Sequence, residues 1–135
     1  MTRSPNRMFG AVIGGFFVLL GLLGFTVTNG IGFFATEGGL LAQIFQVNAF
    51  HNVVHIVIGA ALVLAALSNR AAARAVNSAL GFILLIVGFV GLMVLGTDFN
   101  VLALNAPDNV LHFAAAVALL LVGIGADSRA TGVSA

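Results

Sequence analysis

Three histidines and one acid carry most of the chemistry available to this chain, which has no cysteine. His51 and His55 stand four residues apart in Asn48-Ala49-Phe50-His51-Asn52-Val53-Val54-His55, so on a helix they share one face, with Asn52 beside them. Asp108 and His112 repeat that spacing in Asn105-Ala106-Pro107-Asp108-Asn109-Val110-Leu111-His112, which matches the first octet at Asn48, Ala49, Asn52, Val53 and His55. Three kinds of chemistry suit these residues. His55 and His112, facing each other between helices, would ligate a haem iron axially. His51, His55, Asp108 and His112 together offer the ligand types of Zn²⁺ or Cu²⁺. A histidine near a membrane surface also binds a quinone or passes a proton. Against these stands a structural use, in which Asn48, Asn52, Asn105, Asn109 and the histidines bond one another and the free backbone of helix starts. Interhelical polar bonds of that kind are worth only about 0.6–2 kcal/mol each in lipid. On that reading no cofactor is expected, and haem or Zn/Cu are the alternatives.

Composition says what must hold these residues in place. Of 135 residues, 61% are hydrophobic and 7% charged, with a mean hydropathy of +1.18. A soluble domain carries about a quarter of its residues as charges; this chain lacks the means to build a solvated surface, so its solvent is lipid. The formal net charge of +1, with no basic patch interleaved with aromatics, argues against nucleic acid. Absence of cysteine excludes disulfides, thiolate metal sites and cysteine nucleophiles.

Four apolar runs are long enough to cross a bilayer, near residues 8–28, 49–67, 76–95 and 107–125. The expected fold is therefore all-α, a single four-helix transmembrane domain. The first run follows Arg3 and Arg7, as a signal peptide would, but exceeds an h-region of about 7–15 residues and meets no A-x-A site. Between the first two runs lies a loop of residues 29–47, rich in glycine and carrying Glu37. Leu40, Leu41, Ile44 and Phe45 fall on one helical face there, which fits either a short helix in the membrane interface or an irregular loop tucking apolar side chains into headgroups. Ser68-Asn69-Arg70 closes the second run, and a connection with Arg70 and Arg74 leads to the third. A loop with Asp98 precedes the fourth, where Asn105, Pro107 and Asp108 read as a capped helix start.

Arginine placement orients the bundle. With four crossings, the amino end, the 68–75 connection and the carboxyl end share one side, and Arg3, Arg7, Arg70, Arg74 and Arg129 all fall there. An excess of basic residues marks the cytoplasmic side, so both termini are expected in the cytoplasm, with Glu37, Asp98, Asp108 and the histidines toward the outer side. The exclusive use of arginine as the cation suits a GC-rich bacterial genome, and the expected location is the bacterial inner (cell) membrane.

The chain also reads as two copies of one helical hairpin. The histidine octets are 57 residues apart, while Gly14, Gly21 and Gly24 match Gly81, Gly88 and Gly91 at an offset of 67. Both copies run in the same direction, so the repeat is parallel, about a pseudo-twofold axis along the membrane normal. Glycines on one side of a helix let backbones approach closely in lipid; the alternative is a groove for a lipid or cofactor. Gly59 lies one turn beyond His55 and Ala116 one turn beyond His112, leaving room for a neighbouring helix or a flat ligand. The predicted spans hold no charged residue away from their ends, which disfavours a pump or channel formed by one copy. No nucleophile-and-base set or phosphate-cradling loop is present.

The N-x-x-H-N-x-x-H opening of the second span, with Gly59 and the preceding Ile44-Phe45-Gln46-Val47, resembles a bacterial family of small four-span membrane proteins filed as domain of unknown function 4383. The resemblance covers roughly residues 8–125. Asp108 stands where the first copy has His51. The resemblance implies a cell-membrane protein and brings no activity or ligand. With no evident catalytic set, the leading expectation is an accessory or scaffolding subunit that packs against other membrane subunits or itself in the lipid bilayer. The alternative is a haem-, metal- or quinone-binding redox protein using the outer histidines.

Overall fold

Short polar residues start every helix in the computed structural model, which describes residues 4–127. Ser4, Asn48, Asn69 and Asn105 each accept a hydrogen bond from the backbone N–H three residues on, satisfying a donor the helix leaves free. The helices they start are α1 (Pro5–Gly24), α2 (Ala49–Ser68), α3 (Arg70–Val94) and α4 (Ala106–Gly125). Each is long and apolar enough to cross a membrane, and a 20-residue helix measures about 30 Å. The expected all-α, four-span fold is what the chain adopts. Asn69 alone separates α2 from α3, so the third helix begins at Arg70 rather than near Val76; residues 70–75, all Arg or Ala, are strong helix formers directly behind a cap. The first helix likewise starts early, at Pro5, and ends at Gly24.

The loop between α1 and α2 differs from either expectation. Residues 40–46 form neither an interfacial helix nor an irregular loop but most of a β-hairpin. In it, β1 (Gly39–Leu41) pairs antiparallel with β2 (Phe45–Val47), Gly39 opposite Val47 and Leu41 opposite Phe45. The chain reverses at Ala42 and Gln43, both at positive φ, with Ile44 N–H donating to the Leu41 carbonyl at 3.1 Å. Burial decides the matter. Leu41 and Val47 pack with Leu20 at the hairpin end of the bundle, a contact that the helical spacing of four apolar residues does not reveal.

Helix α1 packs chiefly on α2, and α3 on α4. Glycines permit the close approach. A Cβ on Gly59 would lie 2.5 Å from the Gly14 carbonyl oxygen and 2.6 Å from the Val18 nitrogen, so neither helix can carry a side chain there without moving apart. Midway along the bundle, Phe17, Ile58, Leu62, Leu84, Ala115, Ala116 and Leu119 close a core. Large apolar side chains such as Val12, Leu64, Met93 and Leu121 point outward, as expected where the surroundings are hydrocarbon. At one end, Arg7 Nε donates to the Ala66 carbonyl at 2.7 Å, and Arg74 Nε to the Gly123 carbonyl at 3.0 Å. These bonds serve the free carbonyls at the ends of α2 and α4. Arg7 and Arg74, with Arg70 at the start of α3, lie at the end opposite the hairpin; Arg3 and Arg129 lie outside the described residues.

Candidate functional site

The first turns of α2 and α4 are held by their caps. Asn48 Oδ1 accepts from His51 N–H at 2.8 Å, while its Nδ2 donates to the carbonyls of Ala35 and Val101 at 2.8 and 2.7 Å. Asn105 Oδ1 accepts from Asp108 N–H at 3.1 Å, and its Nδ2 donates to the Ile44 carbonyl at 2.8 Å. Each cap thus bonds the interhelical loop of the other hairpin. The two donors and the acceptors Ile44 and Val101 keep the same 57-residue offset that separates His55 from His112. Beneath the caps sit Asn52 and Asn109, both buried. Asn52 Nδ2 donates to Thr28 Oγ1 at 3.3 Å, and the two asparagine side chains occupy the space left by Gly24 and Gly91 respectively.

With the first turns so anchored, the three histidine rings meet. His51 Nε2 lies 3.0 Å from His55 Nε2, which lies 3.5 Å from His112 Nε2. One potential ligand atom from each ring falls within 4.8 Å of the others, and no ring is more than 2% exposed. No Nδ1 atom of the three has a hydrogen-bond partner among the described residues. Phe17 of α1, fully buried, sets its edge against His55 with ring centroids 5.1 Å apart. Sequence spacing gave no hint of Phe17, because helix α1 reaches the site only through the tertiary fold.

Asp108 is not part of the convergence. Its Oδ2 accepts from Asn105 N–H at 2.9 Å, completing a capping box, and its buried Oδ1 has no partner among the described residues. Of the candidate ligands, then, His51, His55 and His112 are brought together and Asp108 is kept at the helix start. The glycine faces, read from sequence as surfaces for helix packing, are filled from within: Gly14 and Gly21 by α2, Gly81 and Gly88 by α4. They offer no vacant stripe for an outside partner.

Four membrane-length helices around a buried polar centre define a small multi-pass membrane protein. The chain belongs to the family described as domain of unknown function DUF4383, whose profile matches residues 7–125. Neither among curated proteins nor among solved structures was a match found.

Proposed function

We propose that this chain is a metal-binding protein of the bacterial cytoplasmic membrane, with His51, His55 and His112 as the ligands. One observation carries the reading: ring nitrogens of three histidines from two helices converge in a buried place. Imidazole nitrogens ligate transition metals at about 2.0–2.1 Å, so nitrogens around a shared ion stand about 3–4 Å apart; the His51–His55 pair is 3.0 Å and the His55–His112 pair 3.5 Å apart. A haem fits less well. An axial pair grips iron from opposite faces of a flat macrocycle, and the Nε2 of His51, 3.0 Å from that of His55, intrudes where the ring system must pass. An accessory or scaffolding role loses the support of free glycine faces and keeps only the outward apolar surfaces.

The proposal includes orientation and symmetry. Gathering of Arg7, Arg70 and Arg74 at one end supports cytoplasmic termini and an outer location for the histidines. The matched bonds of Asn48 with Val101 and of Asn105 with Ile44 support two hairpins related by a pseudo-twofold axis.

Elemental analysis tests the central claim. Protein purified in mild detergent and exposed to copper and zinc salts is expected to retain about one metal ion per chain. His55→Ala and His112→Ala should abolish retention, and so should His51→Ala, which an axial haem pair would tolerate. A protein that stays metal-free, or that carries haem indifferent to His51→Ala, overturns the proposal.

A further inference from the structure

Charge decides which ion suits the histidine site. Three imidazoles supply no negative charge, and all three rings are buried in a membrane-spanning bundle. The cost of desolvating an ion rises with the square of its charge, so a divalent ion costs about four times as much as a monovalent one of the same size. Compensation has to come from nearby anions. Within the four helices Asp108 is the only Asp or Glu. It is fully buried, one turn from His112 on the same helix face, with Oδ1 unpartnered among the described residues. A single carboxylate balances a single positive charge.

Coordination number argues the same way. Zn²⁺ takes four ligands, the fourth at open sites being water or substrate. Here the ligand group holds three donors and no carboxylate, and the Phe17 ring packs against His55. Three imidazoles complete the shell of a d¹⁰ monovalent ion such as cuprous copper; imidazole itself suits copper and zinc alike, so coordination number and charge make the choice.

We infer that the site, granted the metal-binding reading above, is selective for cuprous copper over Zn²⁺, with Asp108 as its buried counter-charge. This goes beyond the proposed function in assigning the ion's charge and a role to a residue outside the ligand set.

Competition titration of the full chain in lipid nanodiscs tests it. Cu⁺ would be measured anaerobically against a chromophoric chelator, and Zn²⁺ against a fluorescent indicator. Cu⁺ is expected to bind more tightly by about a hundredfold or more, the difference between a balanced and an unbalanced buried charge. Asp108→Asn keeps an oxygen to accept from Asn105, and its folding is checked by thermal melting. It should weaken Cu⁺ binding by about tenfold, whereas His112→Ala abolishes binding of both ions. Zn²⁺ binding as tightly as Cu⁺ overturns the selectivity and leaves the metal site standing. Unchanged Cu⁺ affinity in folded Asp108→Asn removes the counter-charge role. Failure of both ions to bind the unaltered protein overturns the inference together with the function it rests on.

Discussion

Glycines at two neighbouring sites show how little of a residue's role lies in its type. Gly59 and Gly15 are both helical, yet a Cβ on Gly59 would meet the backbone of α1 at 2.5–2.6 Å, whereas one on Gly15 meets nothing within 4 Å. Overpacking a closed contact costs about 1–3 kcal/mol, while Gly to Ala in an unconstrained helix gains up to about 1 kcal/mol. Gly59→Ala is therefore expected to lower the melting temperature in detergent, and Gly15→Ala to leave it unchanged or raise it. Equal effects would mean that the helices do not meet where described. The same residue scale accounts for Asn48 and Asn105. Each is a cap by sequence, but its side-chain N–H bond to the opposite loop exists only once both hairpins are assembled.

Among the elements, the β-hairpin was the one that spacing misread. Turns with two successive residues at positive φ favour Asn-Gly or Asp-Gly, which tolerate that backbone. Here Ala42 and Gln43 occupy those positions at φ 53° and 61°, so the turn carried no signature. Left-handed backbone costs an ordinary residue about 1–2 kcal/mol, part of which glycine gives back through its greater unfolded-state entropy. Gln43→Gly should consequently stabilise the protein by about 0.5–1 kcal/mol. Its exposed position leaves little packing to lose. A fall in stability on thermal or denaturant unfolding would contradict the strained turn.

Across the whole molecule, the two ends of the described chain are clasped at the arginine end. Asp127 Oδ2 accepts from Ser4 Oγ at 2.7 Å, from Asn6 Nδ2 at 3.0 Å and from Asn6 N–H at 3.3 Å. Asn77 of α3 donates to the Asn6 side-chain and backbone oxygens at 3.0 and 2.9 Å, which joins the clasp to the interior. Burial pushes the Asp127 carboxyl up, but the bonds from Ser4 and Asn6 outweigh it and hold it below the usual 3.8. A carboxyl depressed on folding stabilises the protein above its unfolded value, and that contribution disappears as pH falls through the folded value. Melting temperature should accordingly drop between about pH 5 and about pH 3 in the unaltered protein, with a shallower drop in Asp127→Asn. Parallel acid limbs in the two proteins would show that the clasp contributes nothing.

Membrane residence, four crossings and the candidate ligands were legible without coordinates, because each depends on local quantities. Hydrophobic length decides whether a segment spans, and a four-residue spacing puts His51 and His55 on one helical face whatever else the chain does. Asn48 and Asn105 announced two helix starts for the same reason. Tertiary structure alone decided that His51 joins His55 and His112 while Asp108 remains a cap. Ring positions depend on how the first turns of α2 and α4 face each other across the bundle, and the Asn48 and Asn105 bonds tie each of those turns to the opposite hairpin. Phe17 and the hairpin were hidden on the same ground. Their places come from packing between segments far apart in the chain, and such contacts leave no periodic mark in either segment by itself.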